Sequence, residues 1–185
     1  MIKYRCSFRG TTGLFLTAWA VIGCADPGKE KPGDAPAEPP ELKVLHHFVG
    51  TWTTELIQKR AEWTPKEVRV TGNDTTEWVL DGRFIQSKTR SADGTSENIR
   101  LATYDAQKKE HRRWSFDSGG AFNEARGQRD EGSKTLTWEG RAGEGIPVVI
   151  KVRVVDRNTI EWTLVAKDGG GKVFLDFQGK AVREK

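Results

Sequence analysis

The chain has 185 residues and a net charge of +4, which leaves room for one domain with appendages. Three of its 30 basic residues, Lys3, Arg5 and Arg9, precede Cys24 and no acid does, so the remainder is nearly balanced against 26 acids. Such a balance is no electrostatic footprint for nucleic acid, and no nucleic-acid partner is expected. Both cysteines, Cys6 and Cys24, lie near the amino end, so the region beyond them carries neither disulfide nor thiol chemistry.

Lys3, Arg5 and Arg9 form a positive segment ahead of an apolar run from Leu14 to Ile22. That run is about half the ~20 residues a membrane-spanning helix needs, so it reads as a secretion signal. The tetrapeptide Val21-Ile22-Gly23-Cys24 resembles a bacterial lipobox, in which a small residue exposes the bond and the cysteine thiol is acylated before cleavage. The alternative is an ordinary secretory signal that happens to contain a cysteine. The expectation is a lipoprotein signal over residues 1–23 and lipidation at Cys24. The protein is then exported and anchored through that lipid to the periplasmic or cell-surface face of a bacterial membrane. Residues 24–40 hold five of the seven prolines and almost no apolar side chain, the composition of an extended tether.

Residues 41–185 read as one domain. Leu42, Val44, Leu45, Phe48 and Val49 fit a short apolar helix, and Gly50 is placed to end it through the left-handed conformation other residues avoid. From Thr51 the period becomes two, with Trp52, Thr54 and Leu56 on one face. Turn signals then divide the chain into about ten short strands. A split or bulge is expected at Gly72-Asn73-Asp74, and Asp81-Gly82 reads as a two-residue hairpin turn. Near the end, Ile160, Trp162, Leu164 and Ala166 share a face, as do Val173, Leu175, Phe177 and Gly179. No gap is long enough for a parallel crossover. The expected fold is therefore all-β, an antiparallel meander closing into a barrel behind a short N-terminal helix. Six of the seven Trp lie in this region, and each one buried removes roughly 150–250 Å² from water.

The helix breaking at Gly50-x-Trp52, the Trp-rich meander and the ending Thr159-Ile160-Glu161-Trp162 with Gly171-Lys172-Val173-Phe174-Leu175-Asp176 resemble a bacterial family of uncharacterised lipocalin-like domains. The resemblance implies a calycin-type barrel, often on a lipoprotein, with Phe48, Gly50 and Trp52 closing one end. It implies no reaction. Haem proteins of similar fold carry a late histidine, and none follows His111 here, so no cofactor is expected.

Candidate chemistry is sparse. His46 and His47 are adjacent, which is not the i,i+4 spacing a metal takes, and no metal site is expected. None of Ser87, Ser115, Ser118 or Ser133 sits in a nucleophile elbow, and no catalytic motif stands out. The better lead is arginine beside aromatics. Arg112, Trp114 and Phe116 share one strand face, and Arg100, Ala102 and Tyr104 share another. If the aromatics seek burial, Arg112 faces the cavity with them, and Arg113, Ser115 and Asp117 face solvent. In fatty-acid-binding barrels an Arg and a Tyr hold the ligand carboxylate, and Arg112 with Tyr104 resembles that pair. The other possibility is structural: an outward arginine stacked on a Trp, or paired with Glu124 or Asp117. The candidate cavity set is Arg100, Tyr104, Arg112, Trp114 and Phe116. The expected function is a tethered barrel holding a small apolar or amphipathic ligand, with an envelope interaction module or an enzyme on such a ligand as alternatives.

Overall fold

The computed structural model describes residues 39–143 and 145–185. The signal, Cys24 and nearly all of the tether lie outside the described residues.

Ten strands run β1 Gly50–Gln58, β2 Val68–Val79, β3 Phe84–Ser91, β4 Glu97–Asp105, β5 Glu110–Asp117, β6 Phe122–Asp130, β7 Thr135–Ala142, β8 Ile146–Asp156, β9 Thr159–Lys167 and β10 Val173–Arg183. Each pairs antiparallel with its chain neighbour, and β1 pairs with β10, so the meander closes into a barrel. Among the described residues no helix is long and apolar enough to cross a membrane.

The only named helix among the described residues is a 3₁₀ helix, Leu42–Phe48. Its first turns form on the carbonyls of Pro39 and Pro40, which accept from the N–H groups of Leu42 and Lys43 at 2.9 and 3.2 Å. Proline suits that position because its fixed φ is already helical. Leu42, Leu45 and Phe48 recur every third residue, the 3₁₀ period, so all three point one way. Leu42, Val44 and Leu45 are buried in the core that fills this end of the barrel.

Gly50 acts differently from the expected helix terminator. The helix stops at Phe48, and Val49 is already extended. Gly50 has φ of +134°, and a Cβ there would lie 2.2 Å from Nη1 of Arg183. Its lack of a side chain is what admits that arginine. Arg183 donates from Nη1 to the Val49 carbonyl at 2.6 Å, from Nη2 to His47 at 3.1 Å and from Nε to Arg157 at 3.0 Å. Its guanidinium also lies 4.1 Å from the Trp52 ring centroid. Trp52, 2% exposed, donates its indole N–H back to the Phe48 carbonyl at 2.8 Å. The last strand is thereby latched to the junction of helix and first strand.

Three local expectations fail. β2 runs unbroken through Gly72-Asn73-Asp74, because Gly72 lets the Arg90 carbonyl approach to where a Cβ would be only 2.4 Å away. The β2–β3 connection is longer than two residues: the last pair is Val79 with Phe84, and Leu80, Asp81 and Gly82 all take positive φ. A register shift between Val173 and Leu175 also removes Val173 from the face it was expected to share.

Trp52 is the largest fully buried side chain at the closed end. Replacing it with Ala should cost about 3–5 kcal/mol by chemical denaturation. A variant melting within a few degrees of the parent would show that this end does not depend on the indole.

Candidate functional site

Directly paired residues on antiparallel strands share a face, so the register shows which side chains enter the barrel. Tyr104 pairs with His111, Ala102 with Arg113 and Arg100 with Ser115. On the next pair His111 faces Gly127 and Arg113 faces Ala125, and Gly127 faces Trp138. His111, Ala102, Ala125 and Trp138 are all buried, so this row is the interior. Arg100 and Tyr104 point inward. Arg112, Trp114 and Phe116 point outward, which reverses the expectation, and Arg113 and Ser115 take the interior instead.

The reversal has a packing reason. Trp138 occupies the interior beside β5, fitted against Gly127, where a Cβ would lie 2.6 Å from its ring. Arg112 on the outer face pairs with Glu110 and Glu124 and lies 5.7 Å from the Trp114 centroid. Trp114 leans on Phe84, and Phe116 is 45% exposed beside the still more exposed Phe122. The structural alternative for Arg112 is thus the one observed. Tyr104 and Arg112 occupy opposite faces and cannot share a ligand. Tyr104 instead meets His111 edge-on at 5.1 Å, and burial raises its hydroxyl pKa.

The interior has two unlike sides. On β2 to β5 it is polar. Asp74 forms an ion pair with Arg100 and accepts from Thr76 at 2.8 Å and from Thr89, while Thr76 also meets Ser87 at 2.7 Å. Arg100 additionally donates to Thr89 at 2.7 Å. Ser115 is bonded to Asn123 at 3.0 Å. Arg113 makes no hydrogen bond or ion pair among the described residues, and its guanidinium lies 5.9 Å from the Trp138 centroid. On β8 to β10 and β1 the middle of the interior is apolar, with Val152, Trp162, Leu164, Leu175, Phe177 and Leu56 facing in by register. At the open end the β1–β2 loop folds over the rim: Trp63 packs on Phe174 at 5.1 Å, and a Cβ on Gly143 would lie 2.8 Å from its ring.

Burial acts on the charges inside. Arg113 is lowered to about 9, first by burial, then by Arg100, with Asp74 opposing. It remains protonated at neutral pH. His111, whose Nε2 lies 3.0 Å from the Glu41 carbonyl, is lowered by burial, with a smaller contribution from Arg129 and partial opposition from Glu41. Among the described residues no group of three His, Cys, Asp or Glu is placed to hold a metal. A concavity of about 480 Å³ on the outer wall is lined by Glu55, Lys151, Arg153, Glu161 and Lys180, whose opposite charges offset one another across the strands. It brings no chemistry together.

The sequence matches the family described as "Protein of unknown function (DUF1579)" over residues 38–173, most of its length, and the chain belongs to that family. No curated protein matches it. Among solved structures, the fold is similar to Rv2717c from M. tuberculosis, at 14% identity and a TM-score of 0.59, covering 80% of this chain and 99% of that one. It is also similar to the S-type phycobiliprotein lyase CPES from Guillardia theta, at 10% identity and a TM-score of 0.52, covering 77% and 92%. At these identities the likeness is one of fold, a closed antiparallel β-barrel.

The buried histidine gives a pH signature. Because its folded pKa is lowered, the unfolded chain binds the proton more readily below the ordinary value of 6.5. Stability contributed by neutral His111 is therefore complete above that pH and declines as pH falls. His47, lowered chiefly by burial and next by Arg129, acts in the same direction. Denaturation midpoints should fall between pH 7 and 5, and His111→Gln should lessen the fall. An equally steep decline in that variant would assign it to other groups.

Proposed function

We propose that this DUF1579 protein is an exported, lipid-anchored binding protein that holds a small amphipathic molecule inside its barrel. The observation that carries this reading is the state of the inward side chains in the middle of the barrel. Leu56, Trp162, Leu164 and Phe177 face inward yet are only half-buried, and so are Thr89 and Arg100 on the other side. Side chains that filled the space completely would be sealed, as Trp52 and Trp138 are nearer the helix. Water-accessible apolar surface costs about 25 cal/mol per Å² to keep, so a ligand covering it gains that energy. An apolar wall facing a hydrogen-bonding wall suits a molecule that is itself two-sided.

Support for the anchor comes from the sequence alone: the positive segment, the short apolar run, Gly23-Cys24 and the proline-rich stretch follow in the order a lipoprotein needs. Two acyl chains or more, at ~0.8 kcal/mol per buried CH₂, hold a domain stably on a membrane. The tether would let the barrel stand off at most about 50 Å, at ~3.1 Å per residue.

Full-length protein extracted from membranes in mild detergent should carry a non-covalent adduct in native mass spectra, released on denaturation. Absence of any adduct, together with no change in Trp emission on titration with lipids and aromatic acids, would refute the binding reading. Cys24→Ser should accumulate as uncleaved, unacylated precursor. Its cleavage at the same bond with retention in membranes would refute the anchor.

A further inference from the structure

We infer that Arg113 is a carboxylate anchor, and that the molecule held in the barrel is a small amphipathic carboxylic acid. This rests on the ligand-binding reading above and adds the chemical class of the ligand and the residue that selects it.

Four observations converge on Arg113. Its neighbours across both flanking strands are Ala102 and Ala125, methyl-sized side chains that leave room around the guanidinium. Every other inward arginine among the described residues has an ion-pair or hydrogen-bond partner. Arg100 is held by Asp74 and Thr89, Arg129 pairs with Glu131, and Arg183 donates to three carbonyls. Arg113 has only the Trp138 face at 5.9 Å, and by surface area its side chain is only half-buried. The third observation is the charge balance. In the middle of the barrel Asp74 is the one inward carboxylate among the described residues, against Arg100 and Arg113, so one positive charge is in excess. An enclosed cation without a partner is costly, and an anion entering the barrel removes that cost. The fourth is position: β5 lies diametrically across the ten-strand ring from β10, so Arg113 looks toward the wall that carries Leu175 and Phe177.

The chemistry of the anion follows from these groups. A planar guanidinium donates two parallel N–H groups, matching the two oxygens of a carboxylate. One surplus charge suits a monoanion. A phosphate monoester brings nearly two charges into a space that already holds the Asp74 carboxylate, which repels the second. The apolar wall opposite takes the hydrocarbon or aromatic remainder of the acid.

The test compares dodecanoate, methyl dodecanoate and dodecyl phosphate by Trp fluorescence titration of the full-length protein. Trp138 stacks under Arg113 and serves as an internal reporter. The parent should bind dodecanoate at least about tenfold more tightly than the ester or the phosphate. Arg113→Met should weaken dodecanoate by roughly ten- to a hundredfold, the value of a charge-assisted hydrogen bond, and leave the ester unchanged. Arg113→Lys, which keeps the charge and loses the fork, should fall between. Ligand-free Arg113→Met should melt at or above the parent temperature, since it removes an unpaired enclosed charge. A drop of more than about 5 °C would mark Arg113 as a structural residue and overturn the assignment. Equal binding of acid and ester by the parent, or undiminished acid binding by Arg113→Met, overturns the anchor while the binding barrel stands. A preference for the phosphate overturns the carboxylate assignment. Failure of all three compounds to bind overturns the barrel reading and the anchor together.

Discussion

The polar half of the barrel depends on Asp74. One carboxylate draws in a threonine on its own strand, a second on β3 and a guanidinium on β4, and the Thr76 hydroxyl extends the chain to Ser87. Buried carboxylates persist only when their lone pairs are occupied, and here three strands supply the partners. Confining this network to β2, β3 and β4 leaves the facing strands free to be lined with leucine, valine, phenylalanine and tryptophan. It also pairs the Asp74 carboxylate with Arg100, so the neighbouring guanidinium of Arg113 is left without an anion.

Three arginines among the described residues lie near a tryptophan ring, and their surroundings give them different work. Arg183 over Trp52 spends its donors on main-chain carbonyls and becomes a latch. Arg112 beside Trp114 is flanked by Glu110 and Glu124 and ties β5 to β6 on the outer wall. Arg113 near Trp138 has the stacking partner and no carboxylate or carbonyl. The pairing of residue types is the same in all three. What separates them is the supply of acceptors, most of which come from other parts of the chain than the arginine's own strand.

That dependence explains what could be read from the sequence. The number of strands, their antiparallel course and the helix ahead of them follow from turn residues and period-two runs, which are local signals. Trp52, Thr54 and Leu56 are legible as one face because the residues alternating with them, Thr51, Thr53 and Glu55, are polar up to Ile57. In β5 both faces carry an arginine, and a one-residue choice sends every side chain to the other side. The expectation that Trp114 and Phe116 seek the interior picks the wrong side, since Trp138 from another strand already occupies it. The available hint was Gly127, a glycine inside a strand, whose missing side chain marks the place where a large ring approaches. Gly72-Asn73-Asp74 misleads for a related reason. Turn preferences of Gly, Asn and Asp describe solvated chain, and here Gly72 admits a carbonyl and Asp74 is bonded on both oxygens inside the sheet.

The pairing of β1 with β10 bears on how such a chain is made. Trp52 meets Arg183 across that seam, more than a hundred residues later in the sequence. During folding, the first strand lies beside β2 with its other edge open until the tenth joins it. Throughout that interval the growing sheet presents two unsatisfied edges, each able to recruit a strand from a neighbouring chain. Closure is also the contact of greatest sequence separation, the class of event that slows folding most. The ring therefore gains its protection from edge-to-edge aggregation only at the last step, when the tenth strand pairs with the first.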